Sequence, residues 1–227
     1  MLAKEAQSLL GLFAFAARVI PMARVFSRSF SLAIKGLTNP RAHIRLSKGV
    51  REDLKIWDAF LTNFNGSTVW QQEFVVSSQM NFFTDAAGSV GFGAFLNGHC
   101  CAGVWHQEWL QEDILQNLVL LELFPVVVSV VIWKEFFENK RIMVHTDNKG
   151  VLFAINALSS RSEPVVKLLR FLVLHCMRHN IWLKAEHIAG IHNNIADALS
   201  RLQFASFGTW LRRQINRGPL ARNSSGA

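Results

Sequence analysis

Two kinds of apolar pattern divide the chain. Through residue 66 the apolar positions keep helical spacing: Leu9, Phe13, Ala16 and Ile20 make one stripe, and Val50, Leu54, Trp57, Leu61 and Phe64 make another. This predicts three helices, one ending before Pro21, one ending near Gly36, and one starting after the cap candidate Ser47. Asn65-Gly66 then supplies a turn signal. Beyond it the apolar runs shorten to strand length at Met80 to Thr84, Val90 to Leu96 and His99 to Trp105, with small residues at the first turn. Three successive strands predict an antiparallel meander. The pattern then predicts a long helix from about Asn117 to Asn139, a strand from Arg141 to His145 and a helix starting near Asn148. A further helix from about Glu163 to His179, a strand from Ile181 to Glu186 and a last helix from about Asn193 to Leu202 complete the chain. The order βββαβααβα implies a mixed sheet with parallel members covered by helices, so the class is α/β.

A chain of 227 residues, half of them apolar, suits one domain and an appendage. The net charge of +8 is unevenly placed. Residues 1–66 carry ten Lys and Arg against four acids, residues 67–201 ten against twelve, and residues 202–227 four against none. A slightly acidic centre between basic flanks suits a carboxylate site beside a surface that holds polyanions, although ordinary solvated charge accounts for such a balance equally well. Cys100, Cys101 and Cys176 have neither zinc nor thioredoxin spacing, and their odd number argues against a disulfide framework. An intracellular, reducing compartment, cytoplasm or nucleus, is expected. The apolar run Leu118 to Trp133 is short of the ~20 residues a bilayer needs and contains Glu122 and Pro125, so it is read as a core helix with no membrane partner.

Four acids interrupt apolar segments: Asp85 at the expected end of the first strand, Glu122 in the long helix, Asp147 after the fourth strand and Asp197 in the last helix. A buried carboxylate is costly unless donors, a cation or a metal face it. Singly, each has an ordinary reading: Asp147 as a helix cap, Asp85 as a turn residue, Glu122 and Asp197 on solvated helix edges. Together, in a topology that brings them to one edge of the sheet, they point to a metal site. Oxygen ligands without Cys or convergent His favour Mg²⁺ or Mn²⁺, and such a cluster suits two-metal phosphodiester hydrolysis.

The strings FFTDAAGSVGFGAF (82–95), ELFPVVV from Glu122, HTDNKGV (145–151) and HIAGIHNNIADALSR (187–201) resemble, in order, the motifs of retroelement ribonuclease H domains. The combination of ELFP, HTDN and ADALSR looks closest to DIRS-type retrotransposons, which carry a tyrosine recombinase. Residues 11–28 and 53–66 resemble the region after the polymerase palm of the same elements. The resemblance implies a ribonuclease H-like fold, with a five-stranded sheet of three antiparallel strands then parallel strands, flanked by helices. It divides the chain into a helical thumb or connection remnant (1–66), the ribonuclease H-like domain (67–204) and a basic tail (205–227). It implies a Mg²⁺-dependent endonuclease with two ions, Mn²⁺ being an alternative, that hydrolyses the RNA strand of RNA:DNA hybrids beside an upstream polymerase part, with no small-molecule cofactor.

By position, Asp85 would bridge both metals, Glu122 and Asp147 would complete one shell, and Asp197 would bind the other ion. His187, on a loop, would assist proton transfer or product departure. Gly88, Ser89, Asn148, Lys149 and Asn193 are the expected nucleic-acid contacts. The sequence contains no Tyr, hence no Tyr-x-Asp-Asp motif, and is expected to be a truncated product without polymerase chemistry. Gly88, Gly91 and Gly93 are expected to serve turn geometry and close approach of backbone to substrate. The readings left beside the active nuclease are a catalytically silent nucleic-acid-binding remnant and an integrase-like or resolvase-like relative.

Overall fold

The structure, a computed structural model, describes residues 1–62, 80–111 and 113–204. Helices α1 (Ala3–Ala16), α2 (Arg28–Ile34) and α3 (Lys48–Thr62) form the front, with a 3-10 turn over Pro21–Ser27. Pro21 opens that turn at a position where its missing N–H costs nothing. Ser47 caps α3 by accepting a hydrogen bond from the Val50 N–H at 3.3 Å. Val50 and Trp57 are buried, but Leu61 is 52% exposed, so the apolar face of α3 ends a turn earlier than its pattern suggests. Phe64, the Asn65-Gly66 turn and the tail from residue 205 lie outside the described residues.

Strands β1 (Phe82–Ala87), β2 (Gly91–Leu96), β3 (His99–Val104), β4 (Arg141–Thr146) and β5 (Trp182–His187) form one sheet in the order β3-β2-β1-β4-β5. The β1–β2 and β2–β3 pairs are antiparallel, and β1–β4 and β4–β5 are parallel. This is the mixed five-stranded sheet of the ribonuclease H-like fold that the motifs imply. Flanking it are α4 (Gln107–Gln111), which the apolar pattern did not predict, α5 (Leu118–Ile132), α6 (Lys134–Phe137), α7 (Lys149–Ala157), α8 (Glu163–Arg178) and α9 (Asn194–Ser200).

Three expectations are corrected. β1 starts at Phe82, because Asn81 takes a left-handed conformation (φ 43°) and Met80 is helical, so Asp85 lies inside the strand. The single helix expected to Asn139 is two, because Trp133 leaves helical geometry (φ −105°, ψ 22°) as its ring packs edge-on to Phe82 in the core. His187 closes β5 opposite Thr146 instead of lying on a loop.

The core lies between the sheet and α5 and α8. The inward residues of α5, Leu120, Leu123, Val126 and Val130, join Phe82, Ile142 and Val144 of the sheet and Leu169 and Val173 of α8. Pro125 sits inside α5, and the Ser129 hydroxyl donates to its carbonyl at 2.6 Å. Among the described residues no helix is long and apolar enough to cross a membrane. The front helices share this core: Phe13 stacks on Trp57 at 4.5 Å, and both belong to the same apolar cluster, with Phe26. Arg170 of α8 donates to the buried carboxylate of Asp53 on α3, and to the Ser29 hydroxyl at 3.0 Å.

Candidate metal centre

Parallel pairing puts Phe83 opposite His145. Continuing that register by two residues sets Asp85 beside Asp147, at the carboxyl end of the two central strands. Between them the chain order reverses, and crevices at such switch points are where open α/β sheets bind ligands. Helix α5 runs over β1 and β2 and brings Glu122 to the same place. Asp85, Glu122 and Asp147 each offer an oxygen, and the three oxygens lie within 4.8 Å of one another.

Each acid is held by its surroundings. Asp85 is buried, and Ser200 of α9 donates its hydroxyl proton to Oδ2 at 2.6 Å. Asn193 Nδ2 donates to the Thr84 carbonyl at 3.0 Å and reaches Asp85 Oδ1 at 3.5 Å. Asp147 precedes the α7 cap, which is Asn148: its side chain accepts from the N–H of Gly150 (2.8 Å) and Val151 (3.2 Å). The loop after β5 comes close to Asp147, since a Cβ on Gly190 would lie 3.2 Å from Oδ2.

The electrostatics fit a site that would receive a positive charge. Burial pushes Asp85 up to about 6, with Asp147 and Asp197 adding to the rise against the Ser200 hydrogen bond. Burial pushes Glu122 up to about 9, reinforced by Asp85 and Asp147. Glu122 Oε2 is buried without a hydrogen-bond partner among the described residues. An orphaned carboxylate oxygen among two further acids suits a hard divalent cation, which prefers several oxygen ligands. The donor set fits Mg²⁺ or Mn²⁺.

The structure does not bring every expected residue together. Asp197 stands outside the group of three, with its side chain 46% exposed and Oδ1 accepting from Arg201 Nε at 2.8 Å. His187 is exposed at the end of β5. Gly88 and Ser89 form the β1–β2 turn just past Asp85, and Lys149 is exposed in the first turn of α7. Asn193, expected to touch nucleic acid, is only 1% exposed and braces β1. Gly91 and Gly93 are also corrected: their close approaches are internal. A Cβ on Gly91 would lie 2.0 Å from the Gly103 carbonyl, and one on Gly93 2.5 Å from Leu199 and the Ser200 N–H, so Gly93 lets α9 press onto β2. Sequence reasoning missed Ser200, Gly190 and His145. The His145 ring stacks on Phe83 at 4.8 Å, with Nδ1 3.2 Å from the Phe82 carbonyl and Nε2 3.5 Å from Glu186.

Fold and site define a class: an α/β protein with a ribonuclease H-like sheet and a carboxylate cluster suited to a divalent cation at its switch point. No family model and no curated protein matches the chain. Among solved structures it is similar to a ribonuclease H1 from the halophilic archaeon Halobacterium salinarum NRC-1, at 14% identity over 54% of this chain and 94% of that one, with a TM-score of 0.37. It is also similar to a foamy viral protease-reverse transcriptase in complex with double-stranded DNA (12% identity, 82% and 34% of the two chains, TM-score 0.32). The protease-reverse transcriptase of Prototype Foamy Virus gives 13%, 82% and 24%, and 0.31. The chain therefore spans about a third of one viral protein and about a quarter of the other. At these TM-scores the strand order and directions of the chain itself define its fold.

Proposed function

We propose that the protein is a divalent-cation-dependent nuclease of the ribonuclease H type that hydrolyses the RNA strand of RNA:DNA hybrids. The observation that carries this reading is the group Asp85, Glu122 and Asp147, with its orphaned, buried Glu122 oxygen, at the crevice end of the central strands. These three would hold one ion. Asp197 would hold a second after releasing Arg201. Bound there, Mg²⁺ supplies Lewis acidity toward water and toward the leaving oxygen of a phosphodiester. The chain's own groups orient: Ser200 and Asn193 fix Asp85, and the Asn148 cap fixes the backbone that carries Asp147. His187, exposed at the end of β5, would move a proton or help product leave. Ser89 and Lys149 flank the site as contacts for the hybrid's phosphates, whose accessible 2′-hydroxyls distinguish it from B-form DNA.

In the same reading, residues 1–66 are a thumb or connection remnant, 67–204 the nuclease unit and 205–227 a basic tail, from a reverse transcriptase of DIRS-type retroelement origin. The Asp197–Arg201 pair favours one alternative, a binding protein without turnover, because it withholds the fourth acid. The deciding experiment incubates the protein with hybrid, duplex RNA and duplex DNA in Mg²⁺, Mn²⁺ or EDTA. Cleavage of hybrid alone, lost in EDTA and in Asp85→Asn, is the expected result. Binding without cleavage would establish the silent alternative, and equal cleavage of duplex DNA an integrase-like enzyme.

A further inference from the structure

Three cations on one flank of the acidic cluster form no ion pair among the described residues: Lys149 on α7, Lys184 on β5 and Arg24 in the 3-10 turn. Two adjoining cavities connect them. The first, about 600 Å³, is lined by Lys149, Leu152, Phe153, Asn156, Ala157 and His187. The second, about 160 Å³, lies between Arg24 and Lys184, over Pro21 and Trp182. Asn156 and Ala157 line both, and among the described residues no carboxylate lines either. Asn156 is not available to a ligand, because its amide both donates to the Ala185 carbonyl (2.9 Å) and accepts from the Ala185 N–H (3.0 Å). It covers the open edge of β5 and fixes the divide between the cavities.

The first cavity lies against the start of α7, where Lys149 follows Asp147 by two residues, and His187, paired with Thr146 in the sheet, lines its wall. Phe153 is 62% exposed there, whereas Val151, Ala154 and Ile155 anchor α7 in the core, so the fold does not need its ring. An exposed aromatic face beside a cation matches an unpaired nucleotide, whose base stacks on the ring while its phosphate meets the charge. A base pair inside a duplex is already stacked on both sides and would leave Phe153 unused. The apolar floor formed by Leu152 and Ala157 likewise suits a base more than a sugar-phosphate backbone.

We propose that this flank is a track for single-stranded nucleic acid running away from the acidic cluster, with an unpaired base on Phe153 and phosphates on Lys149, then Lys184 and Arg24. The inference rests on the nuclease reading and deepens it: the preferred substrate is a hybrid that gives way to a single strand near the cut. The test measures binding in Ca²⁺, by anisotropy, of a blunt hybrid and of the same hybrid with a short single-stranded overhang carrying 2-aminopurine at its first unpaired position. The overhang should tighten binding about tenfold, in line with about 1–3 kcal/mol for stacking one base, and the probe should be quenched.

Phe153→Ala should bring the ratio of the two affinities close to one, and Phe153→Trp should keep it. Arg24→Ala with Lys184→Ala should flatten the salt dependence of overhang binding by about 0.7 per phosphate released, without changing that of the blunt hybrid. Equal affinities in the unmutated protein, or a ratio untouched by Phe153→Ala, would overturn the track. Cleavage of the blunt hybrid in Mg²⁺ by the same preparation separates the two readings. Cleavage without overhang preference removes the track alone; preference without cleavage removes the nuclease reading and leaves the track on a binding protein; loss of both removes both.

Discussion

Asp53 on α3 and Asp85 on β1 are both buried aspartates whose carboxyls rise to about 6, chiefly through burial. What faces them differs. Asp53 meets the Arg170 guanidinium and the Ser29 N–H, and these lower its pKa against the burial. Asp85 meets the Ser200 hydroxyl, the Asn193 amide at 3.5 Å and further acids, and the acids add to the rise. The first carboxylate is satisfied from within the chain and ties the front helices to α8. The second belongs to a group of three acids whose converging oxygens suit a cation from outside. The same residue type at similar burial is thus a fastening in one place and a candidate ligand in the other, and the difference lies in the partner's charge.

The largest effect expected from this contrast is on chemistry. Asp85→Asn or Asp147→Asn removes a ligand charge with little change of volume, so divalent-dependent cleavage should fall by more than the roughly 10–100-fold that losing an outer partner costs. The fold should remain, and without divalent ion the variants should melt no lower than the parent, because like-charge repulsion is relieved. Full activity in both purified variants would sink the metal assignment.

Next in size is the fastening. Arg170→Met leaves Asp53 buried and unpaired, which costs about 3–5 kcal/mol in such settings. Urea unfolding should show that loss, while Mg²⁺ affinity, measured under folding conditions, stays put. A change below about 1 kcal/mol, the worth of a surface pair, would mean that water reaches the site. Deleting residues 1–66 removes this pair together with the Phe13–Trp57 stack, so the remainder should be strongly destabilised.

The pH dependence distinguishes the two regions more finely. Asp53, Asp85 and Glu122 all have folded pKa values above their ordinary ones, about 6, 6 and 9 against 3.8, 3.8 and 4.5. Between those limits the folded chain binds more protons than the unfolded one, so stability falls as pH rises. Without divalent ion the melting temperature should therefore decline from about pH 4 to pH 9. Millimolar Mg²⁺ should flatten the part contributed by Asp85 and Glu122 and leave the part from Asp53, which Arg170 already faces. A decline that Mg²⁺ does not alter would place the ionising acids elsewhere.

Much of this was legible in the sequence, for reasons that particular residues show. The strands and α3 follow from periodicity, and the acids stand out because a carboxylate in an apolar run needs a partner. Asp85, Glu122 and Asp147 do converge. The position of Asp197 was not legible, because its (i, i+4) neighbour Arg201 competes for it and a spacing cannot say which partner wins. The break at Trp133 and the start of β1 depend on tertiary packing and on one left-handed Asn. The glycines misled because close approach reads the same in sequence whether the visitor is a substrate or, as at Gly93, the protein's own helix.

The smallest effect expected is at Ser200, which donates to Asp85 Oδ2. Its hydroxyl has a single proton and two acceptors in reach, Asp85 Oδ2 at 2.6 Å and the Asp197 carbonyl at 2.9 Å, and the shorter contact with a carboxylate is the stronger. Ser200→Ala removes that donor from a buried position, so the Asp85 carboxyl should rise further and hold its proton more firmly near neutral pH. A divalent ion must displace that proton, so Mg²⁺ affinity at pH 7 should fall about tenfold, within the range for outer partners. At pH 8.5, where Asp85 is ionised in either protein, the deficit should shrink. Titrations at the two pH values check this. A deficit that is equal at both would mean that Ser200 orients the carboxylate without tuning its charge, and no deficit would reduce Ser200 to packing beneath β1.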